Sequence, residues 1–235
     1  MARTDALDTI ANNLANSSTS GFRGTKNSFS SVLAGSGHEL NSVLNDDTNA
    51  YGMLGDTHLD MKAGSLEATG NTLDIGIDGS AFLAVQTANG TAYTRNGSLR
   101  VSAKGQLITA TGDAVLGTGG VITIPRGATV TISTDGTISA DGTIAGKLKL
   151  VDFSASANPQ SMGGGYYSVA AKDTTVATTS DVRQGMLENS NVNPVSSVIE
   201  LIDAQRAAES MRHALTMIDS QIDKTAVTDL ARVTT

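Results

Sequence analysis

The chain has 235 residues, 39% of them apolar but only 3% aromatic and none Trp, enough for one or two domains whose core must be filled by Val, Ile, Leu and Ala. The formal net charge is −7 and no run of Lys or Arg occurs, so the electrostatic footprint of a nucleic-acid or anionic-membrane binder is absent. With no cysteine there is no disulfide framework or thiol chemistry, and neither an apolar leader nor a stretch of about 18 apolar residues suggests a secretory signal or a membrane span.

At the N-terminus, Leu7, Ile10 and Leu14 repeat a three-four step that predicts a short amphipathic helix. Such a helix is marginal alone in water, where roughly 12 to 15 residues are needed, and must be held by packing. The asparagines Asn12, Asn13 and Asn16 weaken it, and Ser17-Ser-Thr-Ser-Gly21 stops it, because hydroxyl side chains compete for backbone groups and Gly accepts a left-handed terminus. Those asparagines are either fraying near a helix end or amide donors to a neighbouring subunit. From Phe22 to about Ala63 the chain is rich in Ser, Gly and Asn, with scattered apolar residues such as Phe29, Val32, Leu33, Val43 and Leu44, and is expected to be extended and poorly able to fold alone.

From Leu66 short β-prone runs alternate with Gly-containing turns at Asn89-Gly90, Asn96-Gly97, Lys104-Gly105, Thr111-Gly112, Asp135-Gly136 and Asp141-Gly142, which predicts an all-β domain. The echo Asp135-Gly-Thr-Ile and Asp141-Gly-Thr-Ile is read as turn-strand-turn, since two copies are too few for a solenoid. The stretch from Val195 to the end holds neither Gly nor Pro and reads as one long helix, with Asn193 as N-cap and Pro194 in the first helical position. Its residues Leu201, Ala204, Ala208, Met211, Leu215, Ile218 and Ile222 alternate steps of three and four, the seam of a coiled coil that needs a partner helix. Asp203, Arg206, Glu209 and Arg212 alternate in sign along a solvated face.

Chemistry-bearing motifs are missing. His38, His58 and His213 lie far apart in no ligand spacing, and there is no nucleophile elbow, phosphate loop or dinucleotide fingerprint; no catalytic, cofactor-binding or metal site is expected. Asp74, Asp78, Asp135 and Asp141 sit next to or near glycines and read as turn formers rather than a glycosidase pair.

Four stretches carry a family resemblance. Asp8-Thr-Ile-Ala-Asn-Asn-Leu-Ala-Asn-Ser-Ser-Thr-Ser-Gly-Phe22 resembles the N-terminal signature of bacterial flagellar rod and hook proteins. Thr69-Gly-Asn-Thr-Leu-Asp-Ile-Gly-Ile-Asp-Gly-Ser-Ala-Phe82 and Ala92-Tyr-Thr-Arg-Asn-Gly-Ser-Leu99 are similar to the central motifs of the basal-body rod proteins. Leu187-Glu-Asn-Ser-Asn-Val-Asn193 with Ala204-Gln-Arg-Ala207 resembles their C-terminal signature. The motif positions are Asn12, Asn13, Asn16, Gly21, Phe22, Leu73, Asp74, Gly79, Phe82, Tyr93, Thr94, Arg95, Gly97, Glu188, Ser190, Asn191, Val192, Asn193 and Arg206. Departures are Ala81 and Leu83 in the central motif, Ala208 where the family usually has an aromatic residue, and a helix before the signature shorter than is usual.

The resemblance implies a mixed α and β fold, with terminal helices paired as a coiled-coil-like module and a central all-β domain. The expected division is an N-terminal helix over 1–20, an extended rod-specific segment over 21–65, the β domain over 66–185 and a C-terminal helix over 186–235. It implies a structural, non-enzymatic rod subunit in the basal body, within the periplasmic space, exported by the flagellar type III apparatus without a cleaved signal. Its partners would be copies of itself and other flagellar rod and hook proteins, with no nucleic acid and no membrane insertion. Chain length fits both rod classes and is too short for most hook proteins, and the run from Met217 to Val227 leans toward the proximal-rod over the distal-rod class. The competing reading is a secreted β-rich carbohydrate-binding or adhesive protein whose helical ends dimerise it.

Overall fold

The computed structural model describes residues 2–30 and 53–233, with side chains over 6–26 and 57–210 and at 212, 213, 216 and 217. The stretch carrying Leu7, Ile10 and Leu14 forms α1 (Ala2–Ala15). Its last turn closes as expected, with Asn16 N–H bonding back to Asn12 O and Asn13 O and Ser17 Oγ donating to Leu14 O at 2.8 Å.

The next segment departs from the expected lone extended stretch. β1 (Thr25–Ser30) pairs antiparallel with β2 (Met53–Leu59), in a register running from Thr25 opposite Leu59 to Ser30 opposite Met53 with an irregularity between Asn27 and Phe29. A polar run such as Thr25-Lys-Asn-Ser-Phe-Ser30 carries no clean alternation, so its pairing was not readable locally. Val32, Leu33, Val43, Leu44 and His38 lie outside the described residues.

β3 (Leu66–Ala68) and β4 (Ile75–Asp78) lead into the main sheet of β5 (Phe82–Thr87), β6 (Gly90–Thr94), β7 (Leu99–Val101), β8 (Leu107–Thr109) and β9 (Ala114–Gly117). β10 (Gly120–Val121) extends β9, and β11 (Val130–Ile132), β12 (Thr137–Ala140) and β13 (Thr143–Lys147) form a separate three-stranded meander. β14 (Leu150–Phe153), β15 (Gln160–Gly163), β16 (Tyr166–Ser168) and β17 (Thr174–Val176) complete the main sheet. Finally β18 (Asp181–Gln184) returns onto β4 and β19 (Met186–Glu188) onto β3, both antiparallel. The repeated Asp-Gly-Thr-Ile units are successive strands of the meander. Asp141 at φ 48° and Gly142 at φ 80° provide the positive φ pair that a tight hairpin turn requires.

β5 organises the core. One edge pairs with β6, while the other is shared, Phe82 and Leu83 facing β14 and Val85 and Gln86 facing β9. Because side chains alternate along a strand, Leu83 and Val85 enter one buried cluster with Ile75, Ile77, Leu99, Leu107, Val115, Ile124, Ile138 and Leu148. Phe82 and Ala84 enter a second, with Leu59, Tyr93, Val151 and Tyr167. The first cluster is the aliphatic core that composition predicts; the second gathers the scarce rings, with Phe82 stacked on Phe153 at 4.3 Å and Tyr93 edge-on to Phe153 at 5.5 Å. Leu59 therefore anchors the β1–β2 ribbon to the sheet.

α2 (Pro194–Val233) is capped by Asn193, whose Oδ1 accepts the N–H of Val195 at 3.0 Å and of Ser196 at 3.2 Å. α1 packs beside α2. With 14 residues against 40, it can lie along only part of that helix, and apart from these two helices the described residues are mostly β. Among the described residues no helix is long and apolar enough to cross a membrane.

Candidate functional site

Glu188, the last residue of β19, is 1% exposed and has a cation on each oxygen. Its Oε1 accepts Arg23 Nη2 at 2.7 Å and the Gly64 N–H at 2.8 Å. Its Oε2 accepts Arg95 Nη2 at 2.6 Å and Arg95 Nε at 2.7 Å. Both arginines are buried, and such paired, charge-assisted bonds are what make a buried carboxylate tolerable. Burial lowers the Arg23 pKa below its ordinary value; Glu188 opposes that shift and Arg95 adds to it.

The backbone closes around this cluster. Gly21 N–H donates to Glu188 O at 2.7 Å, and Arg23 N–H donates to the Tyr167 hydroxyl at 2.9 Å. Asn191 bridges the return, its Oδ1 accepting Gly24 N–H at 2.7 Å and its Nδ2 donating to Asp60 O at 2.9 Å and Lys62 O at 3.0 Å. Asn13 pairs with Thr25 like a strand neighbour, accepting its N–H at 2.9 Å and donating to its C=O at 2.8 Å. Two glycines are required by space. A Cβ at Gly21, which also has φ 69°, would lie 2.3 Å from the Arg95 carbonyl carbon, and one at Gly97 would lie 1.8 Å from Ile75 O.

Of the motif positions, Asn13, Gly21, Phe22, Arg95, Gly97, Glu188, Asn191 and Val192 thus meet in one place, where Val192 packs beneath Gly24. Others lie elsewhere. Asp74 is buried and accepts Thr69 Oγ1 at 2.7 Å and Asn71 Nδ2 at 3.0 Å beside half-buried Leu73. Gly79 turns against Ser180, Phe82 and Tyr93 are in the ring cluster, and Thr94 Oγ1 donates to Gly165 O at 2.9 Å. Ser190 Oγ accepts Val192 N–H at 3.2 Å, Asn12 and Asn16 bond to each other at the end of α1, and Arg206 is exposed on α2. Among the aspartates weighed as acid and base, Asp135 binds Thr137 and Lys147, Asp141 accepts Thr129 N–H at 2.9 Å and Asp78 faces Arg183 at 3.5 Å. His58 and His213 are exposed.

On the helices, Leu7, Ile10, Leu14, Leu201, Ala204 and Ala208 are all half-buried. A groove of about 720 Å³ runs between α1 and α2, lined in part by Ile10, Asn13, Glu200 and Ala204. The side chains of Met211, Leu215, Ile218 and Ile222 lie outside the described residues. Two features were missed from sequence. Arg23 follows the signature with no local pattern to mark it. Val195, Val198, Ile199 and Ile202 form a second apolar stripe, 68%, 41%, 56% and 43% exposed, ahead of the expected seam. At 100° per residue Val195, Ile199 and Ile202 point away from the face of Leu201, Ala204 and Ala208, and Val198 lies between the two.

Three family models match the chain: Flagella basal body rod protein over residues 1–23, Flagellar hook protein FlgE/F/G D1 domain over 76–140, and Flagellar basal body rod FlgEFG protein C-terminal over 183–226. The flagellar basal-body rod protein FlgF of Mesorhizobium japonicum is 34% identical over 228 residues, covering 95% of this chain and 91% of that protein. FlgF of Escherichia coli is 36% identical over 227 residues, covering 89% and 86%. The rod protein FlgG of Bacillus subtilis is 31% identical over 235 residues, covering 91% and 89%. Arg23, Arg95 and Glu188 come one from each matched segment.

Proposed function

The chain belongs to the flagellar basal-body rod protein family, and from that membership we infer that it is a structural subunit of the rod, of the FlgF or proximal type. Its role is to polymerise into the shaft that transmits torque from motor to hook. The FlgF side is supported by the relatives quoted, 34% and 36% identical against 31% for FlgG.

The observation that carries assembly is the double apolar character of α2. One face, Leu201, Ala204 and Ala208, turns toward α1 and is half-buried, while Val195, Ile199 and Ile202 stand exposed on the other. A surface helix satisfied within its own subunit needs only one such stripe. The second supports packing against helices of neighbouring subunits in a heterologous, non-closing contact that builds a helical tube. In this reading the helical ends over 1–20 and 186–235 form the inner wall, the seam continues through Met211, Leu215, Ile218 and Ile222, and the β domain over 66–185 faces outward. The ribbon within 21–65 joins the two. The chain leaves the cytoplasm through the flagellar type III apparatus, crosses the periplasm as part of the rod and assembles with copies of itself and other rod and hook proteins.

The test is genetic replacement. In a host lacking its own FlgF-type protein, this chain is expected to restore motility and to be recovered in purified basal bodies. Restored motility without the chain in basal bodies, or its presence only in the hook fraction, would contradict the assignment.

A further inference from the structure

We propose that the Arg95–Glu188 pair is a preformed seat within the β body and that Arg23 is a latch that docks the whole N-terminal arm, α1 with the β1–β2 ribbon, onto that seat. The two arginines are held unequally. All three guanidinium nitrogens of Arg95 are bonded, to Glu188, to Ile77 O at 2.9 Å and to Ala81 O, and the group lies 5.6 Å from the Phe82 ring centre. Each of those partners belongs to the β body, so Arg95 keeps its bonds and the pair stays neutral without the arm, whose release frees only Glu188 Oε1 from Arg23 and the Gly64 N–H. Arg23 binds Glu188 and Lys62 O, while its Nε is buried with no partner among the described residues. It is therefore the surplus charge of a cluster of two cations and one anion, and the more weakly satisfied cation is the one that leaves at lower cost.

The arm's other links to the body are mostly neutral. They are Gly21 N–H to Glu188 O, Arg23 N–H to Tyr167, Gly24 N–H to Asn191, and Asn191 N–H and Nδ2 to the Phe22, Asp60 and Lys62 carbonyls, with Leu59 in the ring cluster and α1 beside α2. Apart from the Gly64 N–H on the same carboxylate oxygen, the buried Arg23 guanidinium is the one charge-assisted link from the arm to the body among the described residues. Release of the arm then leaves the sheet intact, and the helical part can reorient relative to the β body without unfolding it. This inference concerns the free chain and does not depend on the assembly proposed above.

The test is hydrogen exchange resolved by segment on the full-length chain, comparing Arg23→Met with Arg95→Met. Arg23→Met is expected to speed exchange at residues 21–26 and 57–64 about ten- to a hundredfold, the worth of one or two hydrogen bonds to a charge. Residues 75–151 should stay within about twofold of the wild type, since no body contact is lost. Arg95→Met is expected instead to speed exchange in β4 and β5, where Ile77 O and Ala81 O lose their donor. Arg23→Lys should keep part of the arm's protection that Arg23→Met loses. Equal acceleration across the chain in Arg23→Met, or an unchanged arm, would overturn the latch.

Discussion

Glu188 receives donors from Arg23, Gly64 and Arg95, so Glu188→Gln leaves two buried guanidiniums facing each other with no counter-charge. Removing one partner of a buried ionic group costs about 3 to 5 kcal/mol, and the urea midpoint should fall accordingly at unchanged slope. A surface carboxylate tells the opposite story. Hydrogen bonds from Lys147 and Thr137 hold the Asp135 pKa at about 2, below its usual 3.8. With the folded value depressed, its contribution is present above the unfolded pKa and is lost as pH falls from about 3.8 toward 2. Carbon-detected NMR titration should find Asp135 near 2, and Lys147→Met should move it back toward 3.8. Arg95, Glu188 and Asn191 were legible as motif positions, but their convergence was not. A contact between residues 23 and 188 leaves no trace in either local pattern, and a lone Arg after Gly-Phe looks like any surface cation.

Element by element, what was legible followed rules that act within a few residues. Asn193 caps α2 because its amide reaches two free N–H groups, and the Asp-Gly turns follow from a backbone that only Gly or a small polar residue adopts cheaply. Asn193→Ala should cost about 1 kcal/mol and raise exchange in the first turn of α2 alone, read by amide hydrogen exchange. Gly97→Ala should be far worse, because its Cβ would fall 1.8 Å from Ile75 O and the strand that supplies that carbonyl cannot yield; we expect little soluble protein on expression. The β1–β2 ribbon was invisible for the converse reason. Its partners are separated by residues 31–52, and neither strand alternates, so only tertiary context sets their register. On α2, reading the heptad from Leu201 onward hid the stripe that begins at Val195 on the other face.

At the scale of the molecule, β5 divides an aliphatic cluster from an aromatic one, and the rings that a sugar-binding surface would need are spent on packing Phe82, Tyr93, Phe153 and Tyr167 together. The β body carries the Arg23–Arg95–Glu188 cluster, and beyond it α2 has exposed apolar surface at Val195, Val198, Ile199 and Ile202. In the proposed assembly that surface is covered by neighbouring subunits. The claim is tested most directly by the double variant Ile199→Asp with Ile202→Asp, which charges the exposed stripe without touching the face toward α1. Basal bodies purified from a strain carrying it should lack the chain and the strain should be non-motile, while segment-resolved exchange of the isolated variant matches the wild type over 75–151. Incorporation at wild-type levels with normal swimming would contradict assembly through α2.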